Sequence, residues 1–400
     1  MEGGEGKTRL VVAVVSTNAE VGRAELRGIE RAATRAGWAL ETIDPAQTGL
    51  DLSPFAPLIA AADGVIVRGG SKVSGVLPMM RPGTPLVQMD TDFAPSGKAA
   101  DSPRGIVLCD HDAVAVAAAD ELLALGRQCH VFVPALRPRT WTDYRAKPFI
   151  ARILAAGREA FLYEPQTEWG WAKERDALGG WLSSLPRPMA IFAGNDLLAK
   201  FTLGACRSAG LDVPRDAAIL GTDDDGTLCL STTPALSSIR LDFEGAGRMA
   251  VERLAALMAR RKSTRPARPT IVRFGVVGIS RRGSTRGGAA ETDPRIAAGL
   301  DFIADHHSDP LLGVRDVAAA MGTGRRQAER LFGSTGKTIR QQIEDTRMER
   351  VRSLLATTPL SIRAIAEECG FSSGPYLSHL IKKRLGVSPG EWRRERAGQN

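Results

Sequence analysis

Two sets of side chains in this 400-residue sequence have types and spacing that could do chemistry. The first is a series of polar residues that each follow a short apolar run: Asn18, Arg68, Asp90, Asp110, Asn195, Asp196, Asp223 and Asp224. A carboxylate accepts hydrogen bonds, an amide both donates and accepts, and a guanidinium supplies fixed donors, so such a set can hold a small polar ligand. The second lies near the end of the chain. It comprises Arg325, Arg326, Glu329 and Arg330, then Ser373, Pro375, Ser378, His379, Lys382 and Lys383. Arginine can take a guanine bidentately, glutamate can accept from cytosine, and lysines suit phosphates. No catalytic set stands beside them: there is no Gly-x-Ser-x-Gly elbow, no phosphate-cradling Gly-rich lysine loop and no zinc motif. The reading is a binding protein rather than an enzyme, with no cofactor.

The second set must be positioned by one helical pattern written twice between Gly313 and Arg394. Val314, Arg315, Val317, Ala318, Met321 and Gly322 recur as Ile362, Arg363, Ile365, Ala366, Cys369 and Gly370. A second apolar set follows each glycine: Ala328, Leu331 and Phe332, then Leu377, Leu380 and Ile381. Apolar residues at helical spacing on both sides of a glycine able to take a positive φ describe a helix–turn–helix, whose second helix enters the DNA major groove. With Ala328, Leu331 and Phe332 inward, Arg326, Glu329 and Arg330 project outward. In the second copy Ser373 is the expected cap and Pro375 fits the first turn, where its missing N–H is no loss. A helical pattern from Thr338 to Leu355 joins the copies, so two recognition helices about 49 residues apart imply DNA sites roughly one turn, or about 10 base pairs, apart.

This stretch resembles the AraC-type DNA-binding domain through Ile365-Ala366, Gly370-Phe371, Tyr376-Leu377, Lys382-Lys383, Gly386, Ser388-Pro389 and Trp392-Arg393. It departs from that pattern at Gly324, where the family has a serine cap, and at His379, where arginine is common.

The first set must be positioned by the alternation of strands and helices from Leu10 to about Arg260. Expected strands are Leu10–Val15, Gly64–Val67, Pro85–Gln88, Ile106–Leu108, Val131–Val133, Ala160–Tyr163, Ala190–Ala193 and Ala218–Leu220, with Thr270–Val277 as a last strand. Amphipathic stretches such as Val21–Arg35, Asp112–Leu125, Lys173–Leu182, Leu197–Ala209 and Glu244–Met258 lie between. The alternation predicts parallel sheets covered by helices, in which ligands bind beyond the carboxyl ends of the strands.

Phe192-Ala193-Gly194-Asn195-Asp196 and Ile219-Leu220-Gly221-Thr222-Asp223-Asp224, followed by Leu236-Ser237-Ser238-Ile239, resemble the effector-binding core of the lactose-repressor family. That family shares the fold of periplasmic sugar-binding proteins, two α/β subdomains with the ligand between them. The resemblance implies that Asn195 and Asp223 bind sugar hydroxyls and that Arg145 donates to the same ligand, with Asp196 and Asp110 nearby. Trp141 and Trp169 are candidates to cover a sugar's C–H face. Each has an alternative role: Asn195-Asp196 as a helix cap, Asp223-Asp224-Asp225-Gly226 as a turn, Asp110-His111 as a loop or cap pair, and the tryptophans in core packing.

Charge is divided along the chain. Residues 1–259 carry 27 basic and 31 acidic side chains, residues 260–286 nine basic and none acidic, and residues 295–400 17 basic and 12 acidic. The positive excess therefore sits in and before the helix–turn–helix segment, where phosphates would be. Five scattered cysteines imply reduced thiols in the cytoplasm, and no stretch is long enough to cross a membrane.

The expected organisation is an α/β sensor with two subdomains over 1–278, a flexible linker at 279–293 and an all-α domain over 294–400. That last domain holds helix–turn–helix segments near 313–333 and 361–383 and a linking helix near 338–356. Asp293-Pro294 opens its first helix, on which Ile296, Leu300 and Ile303 form the apolar stripe. His306-His307 close that helix, where the macrodipole favours positive charge. Arg281-Arg282 and Arg286 either touch DNA phosphates or are solvated. The combined arrangement resembles the xylose operon regulator group. It implies a homodimer that binds double-stranded DNA, a monosaccharide effector, and RNA polymerase as partner if the regulator activates. A non-sugar effector, such as a purine or amino acid, and a repressing role stay open.

Overall fold

The computed structural model describes residues 8–47, 51–69, 75–90, 104–136, 140–166, 170–259, 270–285, 293–334, 337–357, 360–385 and 387–397. In chain order the elements are β1 (Leu10–Val14), α1 (Glu20–Arg35), β2 (Ala39–Ile43), α2 (Ala56–Ala61), β3 (Gly64–Arg68), β4 (Leu86–Met89), β5 (Arg104–Cys109) and α3 (His111–Leu123). Then come β6 (Cys129–Val133), α4 (Thr140–Ala155), β7 (Glu159–Leu162), α5 (Trp171–Ser183), β8 (Met189–Ala193), α6 (Asp196–Ser208), β9 (Ala217–Thr222), α7 (Gly226–Leu230) and β10 (Ser237–Leu241). The chain continues through α8 (Phe243–Ala259), β11 (Thr270–Phe274) and β12 (Val276–Ser280). It ends in the helices α9 (Pro294–His306), α10 (Val314–Ala320), α11 (Arg325–Gly333), α12 (Ile339–Thr357), α13 (Ile362–Glu368), α14 (Gly374–Leu385) and α15 (Pro389–Ala397).

Two six-stranded sheets result, ordered β11-β5-β4-β3-β1-β2 and β12-β10-β9-β8-β6-β7. Pairing is parallel throughout the first and from β10 to β7 in the second. The central strands are apolar along their whole length, as strands covered on both faces must be: Val11 to Val14 and Met189 to Ala193 are all fully buried. In the first sheet's unit, α1 and α8 cross with their backbones in contact. A Cβ on Gly28 would lie 2.0 Å from the Glu244 carbonyl oxygen, and one on Gly247 would lie 2.0 Å from that of Glu25.

The chain divides into two compact units: residues 1–116, 137–149 and 241–275, and residues 117–136, 150–240 and 276–400. The terminal helices thus belong with the second sheet, and α12 packs against β12. Three expectations change. The run Thr270–Val277 is two strands, β11 in one sheet and β12 in the other, divided at Gly275, whose carbonyl accepts from Asp242 N at 3.1 Å. Two strands escaped the pattern: β2, an edge strand whose burial does not alternate, and β10, whose Ser237 and Ser238 are polar yet fully buried. Part of the stretch read as a flexible linker is packed, with Ser284 fully buried and donating to the Ile219 carbonyl at 2.6 Å. Residues 286–292, including Arg286, lie outside the described residues, as do 260–269.

Each helix–turn–helix has its own core. Ile339 and Ile343 of α12 join Ile296, Ile303, Val317, Ala328 and Phe332 in one cluster. Met348, Val351, Leu354 and Leu355, further along the same helix, join Ile365, Ala366, Leu377 and Ile381 in the other. One helix thereby anchors two heads, burying one end in each. No described helix is long and apolar enough to cross a membrane.

Candidate functional site

In the second unit, a network forms at the carboxyl ends of β8 and β9, beside the start of β10. Asn195 caps α6, its Oδ1 accepting from Leu198 N at 3.0 Å. Asp225 caps α7, accepting from Thr227 N and Leu228 N at 2.9 and 3.2 Å. Next to it Asp223 and Asp224 take φ values of 104° and 55°, the left-handed side of the map that aspartate tolerates better than most non-glycine residues.

Beneath them lies Asp196, 1% exposed. Its Oδ1 accepts from Ser238 Oγ at 2.6 Å and its Oδ2 from Asp225 N at 2.8 Å. Burial, then the neighbouring Asp223 carboxylate, hold its pKa well above the usual carboxylate range. Expected among the ligand residues, Asp196 instead lies beneath the loop and positions it, because its oxygens are committed to β10 and to the loop backbone. Asp224 is tied down as well: Arg282 Nη1 donates to it at 2.7 Å and Ser280 Oγ at 2.6 Å. Asn195 and Asp223 stay partly exposed at this edge.

In the first unit, Arg145 lies in the second turn of α4 and is 4% exposed. Its Nε donates to His111 Nδ1 at 3.3 Å, and its guanidinium lies 5.0 Å from the centre of the Trp141 ring. One face of the half-buried indole is therefore covered by a cation. Asp110 caps α3, accepting from Ala113 N at 3.0 Å, the cap role that the sequence left as an alternative. His111 stacks on Tyr144 with ring centres 5.9 Å apart. Burial, then the Arg145 cation, lowers its pKa to about 4, against the opposing pull of Asp90 and Asp110. Asp90, at φ 47°, receives Arg68 Nη2 at 3.1 Å, while Arg68 Nε is paired with the fully buried Glu25 at 2.5 Å.

Trp169 lies outside the described residues. Trp171, which the sequence reading gave to core packing, opens α5. It is 52% exposed, with its ring edge-on to Phe201 at 4.4 Å between centres. Its place at a helix start after β7 was the available signal.

In the first head, the turn glycine Gly322 has φ 62° and Gly324 caps α11 without a side-chain bond. Ala328 and Phe332 are buried, while Arg325, Arg326, Glu329 and Arg330 are exposed. Arg325 pairs with Glu329 at 3.0 Å and Arg330 donates to Gln327 at 2.6 Å. In the second head Gly370 has φ 72°, and Ser373 Oγ accepts from Tyr376 N at 3.3 Å. Pro375, His379, Lys382 and Lys383 are exposed and Ser378 is half-buried. Tyr376, unassigned from sequence, is 48% exposed beside them.

Arg347 on α12 holds the heads to α9: its Nε donates to the His307 carbonyl at 2.8 Å and its Nη2 to that of Asp309 at 2.6 Å. Arg384 at the end of α14 pairs with Glu344, and with Asp345 at 2.7 Å. His307 departs from expectation. Burial lowers its pKa to about 4, so desolvation outweighs the helix dipole and the ring is neutral at pH 7. Nor do Arg281 and Arg282 reach toward phosphates: Arg281 pairs with Glu121 at 2.6 Å and Arg282 turns inward.

Residues 119–285 match a periplasmic binding protein-like domain, and residues 317–395 match a helix-turn-helix domain. The chain joins these two domain types. It is similar to the xylose operon regulatory protein of Haemophilus influenzae, at 27% identity over 63% of this chain and 65% of that one. The protein of the same name from Escherichia coli K12 is 30% identical over 56% of each. These alignments cover between about half and two thirds of the relatives' own length. A solved structure titled xylose-binding transcription activator xylR superposes with a TM-score of 0.54 over 97% of this chain and 98% of that one, at 23% identity, a likeness of fold.

Proposed function

We propose that this protein is an effector-responsive, sequence-specific DNA-binding transcriptional regulator. Its effector is xylose or a related monosaccharide, and it activates genes for that sugar's catabolism. One observation carries the reading: a single chain joins two helix–turn–helix segments with exposed second helices to two α/β sheets, with polar side chains, Asn195 and Asp223 among them, just beyond strand ends. The names of its relatives point the same way. Asn195 and Asp223 bind hydroxyls. Trp171 is an apolar platform in addition to the sequence candidates Trp141 and Trp169. Arg325, Arg326, Glu329, Arg330, Ser373, Pro375, Ser378, His379, Lys382 and Lys383 face the duplex. The working form is a cytoplasmic homodimer that contacts RNA polymerase. An effector shifts it only by binding one state more tightly than the other.

Two experiments on the full chain test this. In a thermal-shift series with pentoses, hexoses and purines, the true effector raises the melting temperature with concentration. Selection from random duplexes then yields a preferred site whose occupancy depends on that effector. Stabilisation by a purine and by no sugar would overturn the effector class, and failure to enrich any duplex would overturn the regulator.

A further inference from the structure

Between the two heads lies an open groove of about 760 Å³, in whose lining Arg325 is the one assigned DNA-reading residue. Its charged lining is Arg315, Arg325, Arg340, Arg347, Asp316 and Glu344, an excess of cations. Most of these are already engaged. Arg347 is bonded to the His307 and Asp309 carbonyls, Arg325 to Glu329 and Glu344 to Arg384, while Asp316 Oδ2 accepts from Gly313 N at 2.8 Å. Arg315, on the first turn of α10, and Arg340, on the first turn of α12, are both exposed. Neither has an ion pair or hydrogen bond to another described residue.

The groove's border shows which way it faces. Arg325 is the first residue of α11, and Ser372 and Tyr376 flank the start of α14, so the leading ends of both recognition helices open onto it. Those ends reach base edges in a helix–turn–helix. When the heads occupy successive major-groove segments, the duplex between them must pass across this groove with its phosphates toward the protein.

We propose that the groove is a phosphate clamp: Arg315 and Arg340 bind the phosphodiester backbone of the DNA lying between the two half-sites. The occupant is fixed by charge, since two unengaged guanidiniums complement phosphates in pairs of N–H···O bonds. The clamp contributes affinity without sequence preference and holds the central DNA against the protein while each head reads bases. This rests on the regulator reading above.

The test uses the full chain, a duplex that the wild type itself selects from a random pool, and a scrambled duplex of equal length, each titrated at several salt concentrations. Each released phosphate contact lowers the slope of log K against log salt by about 0.9, which corresponds to a binding loss of about fivefold at 0.15 M salt. Arg315→Ala and Arg340→Ala are each expected to show that loss on both duplexes equally, so that the ratio of selected to scrambled binding is unchanged. The double variant loses about the product, and Arg340→Lys keeps the slope because it keeps the charge. Thermal melts confirm that the variants fold. A selective wild type whose alanine variants keep its slope overturns the clamp alone, as does a changed selected-to-scrambled ratio, which would make these arginines base readers. A wild type with no preference among duplexes overturns both the clamp and the regulator reading.

Discussion

Adjacent arginines offer a sharp measurement. Arg281 and Arg282 have the same side chain and each meets a carboxylate, but Arg281 is 51% exposed against Glu121 and Arg282 is 6% exposed against a 14% exposed Asp224. Removing Arg281 breaks an ion pair screened by solvent, worth at most about 1 kcal/mol. Removing Arg282 strands the Asp224 carboxylate beside Asp223 and Asp196, and strips a bond from the Leu236 carbonyl. Loss of one partner from a buried pair costs about 3–5 kcal/mol. In a unit of this size that is a fall in Tm of roughly 6–20 °C for Arg282→Ala, against less than about 4 °C for Arg281→Ala. Thermal unfolding followed by circular dichroism and tryptophan fluorescence reads both. The double change Arg282→Met with Asp224→Asn is expected to recover much of the loss, because no uncompensated charge then remains. Equal effects at 281 and 282, or a double variant worse than the sum of its singles, would refute the argument from burial.

Further outcomes follow from the same structure. The two turn glycines occupy equivalent motif positions but differ in surroundings: Gly322→Ala meets open space and costs only its left-handed φ, about 1–2 kcal/mol. Gly370→Ala drives a Cβ to 2.6 Å from the His307 carbonyl oxygen and should cost at least about twice as much, read as a lower unfolding midpoint in urea. His111 and His307 have folded pKa values near 4, below the ordinary value of 6.5, so the unfolded chain takes up protons first. Stability therefore falls as pH drops from about 6.5 toward 4, by up to about 3 kcal/mol per histidine, and His307→Gln should flatten that fall. Asp196 behaves oppositely: its raised folded pKa gives stability that is full below the unfolded value and is lost as pH rises through the folded one. Asp196→Asn should remove that dependence, while Asp196→Ala, which leaves the Ser238 hydroxyl and Asp225 N–H without acceptors, should destabilise at every pH.

Much of this molecule was legible because its patterns are local. The repeat of Val317-Ala318 and Met321-Gly322 as Ile365-Ala366 and Cys369-Gly370 identifies two helix–turn–helix segments, since the spacing of apolar side chains on a helix is set by helical geometry alone. Asn195 and Asp293 read as caps from sequence and act as caps, since a cap is made within one turn. Tertiary structure decided where a long-range partner sets a side chain's role. Asp196 stands next to Asn195 in sequence, yet Ser238 and the Asp225 amide draw it under the loop. Nothing in Thr270–Val277 announces that Gly275 divides it between two sheets. Arg145 covers one face of the Trp141 indole while Trp171 is 52% exposed, and a row of tryptophans cannot reveal which faces are already occupied. The sequence by itself determined which residues are helical, apolar or charged, because those properties are short-range. Which charges are buried, paired or left free was settled only when distant segments met, because desolvation and Coulomb energy depend on distance through space and not along the chain.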